Sequence, residues 1–307
     1  MHLIRQHLWR TVLSQSRPLI FGEVLFDCFP DGREVPGGAP FNVAWNLQAF
    51  GLHPLFISRV GDDPQGRLIT ESMNSWTMNT DYLQHDPARP TGRVEITLTD
   101  GEPRFAILPN QAYDHISSNI PPITHTPAFL YHGSLALRDE MSRATLTGLK
   151  RTHPCPVFLD VNLRRPWWNR DTVLAMIEDA TWLKLNDNEW SDLFPDQQDI
   201  DSCGAMLLGR FDMEAVFITM GAKGAAAYLP DSRPLTVTPG SAVTVVDTVG
   251  AGDAFSSVLL LGLTLGWPVQ LSLNRAQKFA AAVVGQRGAV SQNKEFYQKF
   301  SNKWMQQ

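Results

Sequence analysis

The chain has 307 residues, 43% of them hydrophobic, and a formal net charge of −5 at pH 7. This length accommodates one large α/β domain or two smaller ones, and the apolar content suits an extensive core. The negative charge and the lack of a dense Lys/Arg run argue against nucleic acid or an anionic membrane as partner. The three cysteines lack metal-type and redox-type spacing, so we expect reduced thiols and a cytoplasmic location. We expect neither a secretory signal nor a membrane span, because no window approaches about 18 uninterrupted apolar residues.

Residues 1–17 are predicted to be an extension ahead of the fold, and the first strand is predicted over residues 18–26. Apolar residues then recur first at helical spacing, next as one continuous run, and then at helical spacing again. It predicts a helix, a strand and a second helix over residues 42–50, 54–60 and 66–76. Between residues 91 and 108, apolar and polar residues alternate around Asp100-Gly101, which is a β-hairpin signal.

From residue 128 onward, short apolar runs alternate with helical stretches. These runs predict strands over residues 128–131, 157–160, 182–185, 215–219 and 225–228. Apolar strands separated by helices indicate an α/β fold with a mostly parallel central sheet and helices on both faces. The hairpin does not fit this alternation, so we expect it to project from the main domain.

The most informative segment is the run D-T-V-G-A-G-D-A-F at residues 247–255. The β-branched residues 245–246 before the glycines predict a strand, and the apolar residues 254–265 after them predict a helix. The amides of residues 250–252 are predicted to point free N–H groups outward at the positive end of that helix. Such a turn attracts phosphate or a developing oxyanion.

Asp253 directly follows this turn, where its charge would repel a bound phosphate. A chemical role explains it, because a carboxylate can take the proton from a hydroxyl that attacks a phosphoryl group. The alternative is that Asp253 only complements the helix dipole. A nicotinamide dehydrogenase is disfavoured, because Phe255 stands where the dinucleotide fingerprint needs a third glycine; no G-x-x-x-x-G-K-[ST] motif is present either.

Two N-terminal segments carry further candidates. Asp27 ends the first predicted strand, at the edge where open α/β sheets bind ligands, and its carboxylate can accept hydrogen bonds from sugar hydroxyls. Gly37 and Gly38 let a ligand approach the backbone closely, and the Asn42 amide can both donate and accept. The structural alternatives are a turn-capping aspartate and an asparagine N-cap.

Later segments carry residues suited to phosphate and metal. Asn186 and Glu189 follow a predicted strand, and a glutamate there can orient the waters of Mg²⁺; the alternative is an ordinary helix start. Arg164 can contact a sugar or a phosphate oxygen, or it can form a buried ion pair with Asp160. After the next strand, a hydroxyl and two glycines suit either a phosphate loop or a plain β-turn: Thr219, Gly221 and Gly224.

The run at residues 247–255 closely resembles the C-terminal signature of the ribokinase-like (PfkB) carbohydrate kinases, and the other segments resemble further motifs of that family in the expected order. Members of the family transfer the γ-phosphoryl group of ATP to a hydroxyl of a sugar or nucleoside. The resemblance implies a ribokinase-like three-layer sandwich with a small β-sheet lid. It also implies that Asp253 is the catalytic base and that three amides form the anion hole: Gly250, Ala251 and Gly252.

The resemblance assigns the other candidates to ligands. The implied substrate contacts are Asp27, Gly38, Asn42, Arg164 and Asp253. The implied ATP contacts are Asn186, Thr219, Gly221 and Gly224. Glu189 would hold Mg²⁺ through water, and a monovalent cation such as K⁺ has candidate ligands in Asp247 and Val249.

The resemblance also divides the chain. The kinase domain is expected over residues 18–295, with the lid drawn from about residues 28–40 and 90–110 and a C-terminal tail at residues 296–307. The expected partners are a small-molecule sugar and ATP with Mg²⁺. A homodimer formed through the lid, and a requirement for K⁺, stay open.

The expected substrate is D-fructose, giving fructose 6-phosphate, because the G-E-V-L-F-D run at residues 22–27 resembles fructokinases. The D-V-N-L-R run at residues 160–164 resembles both fructokinases and 2-keto-3-deoxygluconate kinases. The latter tend to place an arginine for the substrate carboxylate just after the lid strand, where residues 109–114 contain no cation. 2-Keto-3-deoxygluconate, another ketose and ribose are the alternatives, and a non-catalytic sugar or nucleotide sensor is the alternative of another class.

Overall fold

The computed structural model describes residues 17–99, 102–197, 200–240 and 244–305, and its largest element is a nine-stranded sheet. In spatial order the strands are β13 (Leu235–Val237), β12 (Ala225–Tyr228), β11 (Ala215–Thr219), β10 (Trp182–Asn186), β9 (Val157–Asp160), β8 (Leu130–His132), β1 (Leu19–Phe21), β4 (Leu55–Gly61) and β5 (Leu83–Asp86). All pairs from β11 to β5 are parallel, whereas β12 and β13 pair antiparallel at one edge. The predicted mostly parallel sheet is confirmed, although the pattern does not predict the edge strands β5 and β13.

A separate four-stranded sheet forms the lid. Its order is β3 (Glu34–Gly37), β2 (Leu25–Cys28), β6 (Gly92–Thr99) and β7 (Glu102–Ile107). β6 and β7 pair antiparallel, as the hairpin signal predicts, and the expected turn at Asp100-Gly101 lies outside the described residues.

The single strand predicted over residues 18–26 is wrong, because the chain changes sheets within it. β1 belongs to the large sheet and β2 to the lid. Gly22 lies at the change with a φ of 147°, and a Cβ there would lie 2.5 Å from Cγ of Pro40. The apolar pattern cannot show this break, because residues 18–26 are buried throughout.

Helices cover both faces of the large sheet. They are α1 (Ala39–Ala49), α2 (Pro64–Ser75), α3 (Glu140–Thr152), α4 (Arg170–Glu178), α5 (Asp187–Leu193), α6 (Ile200–Arg210), α7 (Ala251–Thr264), α8 (Val269–Val284) and α9 (Lys294–Met305). Side chains alternate between the faces along each strand, so Ile20 belongs to the core with α1, α2, α7, α8 and α9. Leu19 and Phe21 belong to the core with α3 to α6. The predicted three-layer arrangement is therefore confirmed.

The secondary structure crosses several of the approximate domain limits predicted from the sequence. Residues 25–27, expected before the lid, belong to its strand β2. Residues 39–40, expected in the lid, begin α1, and the expected C-terminal tail is helical as far as Met305. Within α9, Tyr297 and Trp304 are buried, and their rings lie 5.5 and 5.3 Å from that of Phe50. Across the described ranges, no helix combines the length and apolar content needed to cross a membrane.

The lid is tied to the large domain where β7 ends. The Arg138 guanidinium donates to the carbonyl of Leu108 at 2.6 Å and pairs with the buried carboxylate of Asp114 at 2.6 Å. Arg138 also lies over the ring of Trp167 at 4.3 Å, and the indole N–H of Trp167 donates to the carbonyl of Ile107 at 3.2 Å. One end of the lid is thereby fixed by hydrogen bonds.

We expect Gly204→Ala to destabilise the fold although alanine favours helices. Gly204 lies in α6 against β12, and an added Cβ would overlap the ring of Tyr228. Overpacking of this kind costs about 1–3 kcal/mol. Gly209→Ala in the same helix is the control, because nothing lies within 4 Å of its added Cβ; it should be neutral or stabilise by up to about 1 kcal/mol. Equal effects of the two variants on the free energy of unfolding in urea would contradict the packing argument.

Candidate active site

A cleft of about 2180 Å³ lies between the lid and the carboxyl ends of the large sheet's strands. Lid residues such as Asp27 and Val94 line one side, and residues from the ends of β10 and β11 and the start of α7 line the other. Each candidate residue identified from the sequence, from Asp27 to Asp253, lines this cleft. The fold therefore brings together side chains that are more than two hundred positions apart in the chain.

The glycine turn before α7 has a conformation that favours glycine. Gly250 is the N-cap residue with a φ of 79°, and an added Cβ would overlap Cα and Cβ of Ala289. Ala251 donates its N–H to the carbonyl of Thr248 at 3.3 Å. The prediction that this amide is free is therefore wrong. Within the described residues, the N–H groups of Gly250 and Gly252 have no hydrogen-bond acceptor. The turn thus presents amides on either side of Ala251 rather than three consecutive ones.

The strand predicted at residues 245–246 is wrong. Val245 and Val246 are 65% and 55% exposed and belong to no strand. The N–H groups of Val246 and Asp247 donate to the carbonyl of Val284, at the end of α8, at 2.9 and 3.2 Å. β-Branched residues favour strands only where a neighbouring strand is available, and here the chain lies along the cleft instead.

Asp253 lies in the first turn of α7 and contacts α1 from the opposite end of the sequence. The Asn42 side-chain amide donates to Oδ2 of Asp253 at 2.8 Å. α1 begins at Ala39 after the N-cap residue Gly38, so the alternative that Asn42 is an N-cap is wrong. Burial raises the pKa of the Asp253 carboxyl, although the hydrogen bond from Asn42 acts in the opposite direction. Asp253 thus has a specific side-chain partner in addition to its favourable place in the helix dipole.

Asp27 and Gly38 lie on the lid side of the cleft. Burial raises the pKa of Asp27 to about 6, while the nearby Arg164 guanidinium lowers it. Gly38 has a φ of 105°, and a Cβ there would lie 2.7 Å from the carbonyl oxygen of Glu23. The structure thus leaves no room for a side chain at Gly38, and close approach of a ligand to this backbone stays a prediction.

Arg164 is exposed at the cleft and donates to the carbonyl of its neighbour Leu163 at 2.9 Å. The alternative ion pair with Asp160 is wrong, because Asp160 pairs instead with Lys184, at 2.9 and 3.0 Å. Sequence reasoning does not single out Lys184. The available signal is a charged residue between the apolar neighbours Leu183 and Leu185 in strand β10.

Asn186 and Glu189 form a capping box at the start of α5. The Asn186 side chain accepts from the Glu189 N–H at 2.9 Å, and Glu189 Oε2 accepts from the Asn186 N–H at 2.8 Å. Glu189 Oε1 accepts from the N–H of Leu163 at 2.9 Å. The helix-start alternative therefore describes the local structure, and both side chains also line the cleft.

The loop after β11 contains two glycines with positive φ, Gly221 at 53° and Gly224 at 99°. A Cβ on Gly224 would overlap the carbonyl oxygen of Val237. The N–H of Met220 donates to the Gly224 carbonyl at 2.8 Å, which closes the loop as a turn beside Thr219. The segment is therefore a turn, as one of the two alternatives predicts, and it also lines the cleft; its role as a phosphate loop stays a prediction.

Asp247 joins the start of the glycine turn to the loop that contains Gly288. Its Oδ1 accepts from the N–H of Val249 and its Oδ2 from the N–H of Gly288, both at 3.0 Å. In the parts of the chain that the structure describes, no three His, Cys, Asp or Glu side chains converge as a metal cluster. A cation at Asp247 would therefore need other oxygen ligands, such as main-chain carbonyls, hydroxyls or water.

Glu23 is a cleft residue that the sequence motifs do not place. It follows β1, it is 2% exposed, and no described group donates to its Oε2. Burial raises the pKa of Glu23 to about 7; Arg164 lowers it and Asp253 raises it. The signal is an acid inside a run of buried apolar residues.

Comparison with known proteins identifies the family. The family model described as pfkB family carbohydrate kinase matches residues 25–295. The chain belongs to the PfkB family. It is a carbohydrate kinase, and both the predicted family and the predicted enzyme class are confirmed.

The PfkB kinase is similar to fructokinases along most of its length. The fructokinase of Klebsiella pneumoniae is 32% identical over 294 residues, which cover 89% of this chain and 94% of the relative. The structure of Vibrio cholerae O395 fructokinase with fructose, ADP and calcium bound has a TM-score of 0.81 and 27% identity, covering 94% of this chain and 99% of that one. A double mutant of the Vibrio protein with fructose, ADP and potassium bound also has a TM-score of 0.81 and 27% identity, at 94% and 98% coverage.

We expect Gly250→Ala to reduce both stability and turnover. The positive φ and the overlap with Ala289 should cost at least about 1 kcal/mol, and displacement of the turn amides should lower kcat by about tenfold or more. Gly266→Ala is the matched control, because it has a φ of 66° but nothing within 4 Å of its added Cβ. Gly266→Ala should lose stability and keep its turnover. A Gly250→Ala enzyme with normal kcat would show that the turn geometry is not needed.

We expect Glu23 to make stability fall as pH rises. Its pKa is about 7 in the folded protein against 4.5 for the ordinary group, so the unfolded chain ionises first as pH rises. The contribution of protonated Glu23 to the free energy of unfolding is fully present below about pH 4.5 and is lost as the pH rises through about 7. From pH 4 to pH 8, the free energy of unfolding of Glu23→Gln, measured in urea, should therefore rise by up to about 3 kcal/mol relative to that of the wild type. Glu71→Gln, at an exposed position of α2, is the control. A pH-independent difference for Glu23→Gln would contradict this expectation.

Proposed function

We propose that this PfkB kinase is an ATP-dependent fructokinase that converts D-fructose to fructose 6-phosphate with Asp253 as the catalytic base. The carrying observation is the pair of Asp253 and Asn42, at 2.8 Å, beside the glycine turn in the cleft. A buried carboxylate with a raised pKa is a stronger base than an exposed aspartate. The adjacent glycine turn offers the N–H groups of Gly250 and Gly252, which can bind a negatively charged group.

In the proposed step, Asp253 takes the proton of the sugar hydroxyl while the hydroxyl oxygen bonds to the γ-phosphorus of ATP. The bond between that phosphorus and the β–γ bridging oxygen breaks, and ADP leaves with the electron pair. The N–H groups of Gly250 and Gly252 are placed to stabilise charge on the transferring group. Asn42 keeps the Asp253 carboxylate oriented, and Asp27, Gly38 and Arg164 are proposed to hold the sugar.

The proposed nucleotide end consists of Asn186 and the loop after β11, with Thr219, Gly221 and Gly224. Mg²⁺, when bound with ATP, neutralises charge shared between the β- and γ-phosphates. Glu189 fits a contact through water, because each of its oxygens accepts only one N–H and keeps a lone pair.

K⁺ activation is a further proposal that involves Asp247 and the carbonyl of Val249. Potassium in the Vibrio double mutant supports it. A homodimer through the lid is likewise proposed.

Fructose is preferred as substrate for two reasons. The similar Klebsiella and Vibrio proteins are fructokinases, and the Vibrio structure contains fructose. Residues 109–114 carry no cation, and the arginines that contact this stretch are each paired with an acid. Arg138 pairs with Asp114 at 2.6 Å, and Arg89, which donates to Asn110, pairs with Asp86 at 3.4 Å. The exposed Arg164 in the cleft is the one observation that favours 2-keto-3-deoxygluconate as the second candidate.

The substrate is tested by coupled ADP release with fructose, 2-keto-3-deoxygluconate, ribose and other ketoses. We expect the highest kcat/KM for fructose. A higher value for the acid sugar would favour the second candidate. ATP and sugar binding without sugar-dependent ADP release would favour a sensor.

We expect Asp253→Asn to lower kcat at least ~10²-fold, the low end for loss of a general base, while ATP binding stays nearly unchanged. Asp171→Asn is the matched control, because Asp171 is also an acid in the first turn of a helix, α4, but is exposed outside the cleft. It should keep normal turnover, measured by ADP release with binding followed by calorimetry. Near-normal turnover of Asp253→Asn would reject the proposed base.

A further inference from the structure

A buried ion pair lies directly beneath the glycine turn. Lys184 is in the middle of β10 and is only 6% exposed. Its ammonium lies 2.9 and 3.0 Å from the two carboxylate oxygens of Asp160, which ends β9. Burying two charges costs several kcal/mol per ion before their attraction is counted, so such a pair in a core is weak evidence for stability. Its position suggests a role in the cleft instead.

The ammonium of Lys184 lies against the turn. A Cβ added to Gly252 would lie 3.2 Å from Nζ of Lys184, and Lys184 is one of the residues that line the cleft. The Lys184 ammonium has three N–H groups, and two of them donate to Asp160. Among the described residues, no other acceptor bonds to Nζ. Burial alone would lower the pKa of Lys184, but the carboxylates of Asp160 and Glu189 outweigh burial and raise it, so the side chain stays charged.

Asp160 connects this lysine to the helix that carries Asp253. Its Oδ2 also accepts from the hydroxyl of Ser256 at 2.8 Å and from that of Tyr131 at 3.4 Å. Ser256 is one helical turn after Asp253 in α7, and it is fully buried. One carboxylate therefore fixes both the lysine and the first turns of α7.

We propose that Lys184 and Asp160 are positioning residues that hold a fixed positive charge under Gly252, where it balances the negative charge of Asp253 and of the transferring phosphoryl group. The inference rests on the proposed function, because it assumes that phosphoryl transfer takes place at this turn. Backbone dipoles and a fixed ammonium stabilise developing charge without reorganisation. Loss of the ammonium should thus affect kcat more than KM.

The charged and titratable groups that face Asp253 come from several elements. They are Lys184 on β10, Asp160 on β9, Arg164 after β9, Glu23 after β1 and Tyr131 on β8. Lys184 lowers the pKa of Asp253 and Asp160 raises it, so the two members of the pair act in opposite directions. This opposition gives a test that a loss of stability cannot imitate.

The experiment compares the pH dependence of kcat/KM in wild type, Lys184→Met and Asp160→Asn. We expect the acid limb to move to higher pH in Lys184→Met and to lower pH in Asp160→Asn, each by roughly one pH unit. We also expect Lys184→Met to lower kcat by about 10²-fold at the optimum, with KM values for sugar and ATP changed less than about threefold. Lys150→Met is the matched control, because Lys150 pairs with Asp179 at 3.4 Å on another part of the surface; its profile should be that of the wild type.

The proposal would be overturned if the acid limbs of Lys184→Met and Asp160→Asn moved in the same direction, or if neither limb moved in folded variants. If a single variant does not fold, the double variant Lys184→Met/Asp160→Asn decides, since it leaves no unpaired buried charge. Its acid limb should be close to that of the wild type while its kcat stays low, and a normal kcat would overturn the proposal. Active Asp253→Asn would refute the proposed function itself, whereas inactive Asp253→Asn with unshifted profiles refutes only this inference.

Discussion

The cleft depends on the close approach of α1 and α7, two helices from opposite ends of the chain. Polar side chains one helical turn apart join them, because Asn42 donates to Asp253 and Asn46 donates to the hydroxyl of Ser257. Ser257 in turn donates to the carbonyl of Asp253 at 2.6 Å. The hydrogen bonds fix the rotation of each helix as well as its distance from the other. The proposed base, its orienting amide and the glycine turn therefore move as one unit.

The second constraint on the site is electrostatic. Burial raises the pKa values of Glu23, Asp27 and Asp253, so three acids in one cleft resist ionisation. Two of the basic residues beside these acids differ in their surroundings: Lys184 is buried and held by hydrogen bonds to Asp160, whereas Arg164 is exposed in the cleft. Such a site favours a neutral hydroxyl-rich ligand at the acids and an anionic group near the lysine. This division matches a sugar bound beside a phosphoryl donor.

The sequence predicts the periodic parts of the fold and the chemistry of its motifs. Strands such as Val157–Asp160 and Ala215–Thr219 have the predicted limits, because their apolar runs are buried on both faces. The pattern does not reveal the sheet change at Gly22, since buried residues continue through it, nor the irregular path of Val245 and Val246. Within the site, Lys184 is not predicted, because its partner Asp160 is 24 positions away and only the parallel pairing of β9 and β10 brings them together.

The hydrogen bonds of Arg138 and Trp167 at the end of β7 have a consequence for motion. They hold the carbonyls of Ile107 and Leu108, so this corner of the small sheet cannot leave the body of the protein. The strand Glu34–Gly37 lies at the opposite edge of the small sheet, where the Gln65 side chain of α2 donates to Glu34 at 3.0 Å. That strand runs directly into Gly38 and α1, so swinging it outward pulls on the segment that carries Asn42. The place of the small sheet and the orientation of Asn42 are therefore coupled through a continuous stretch of backbone.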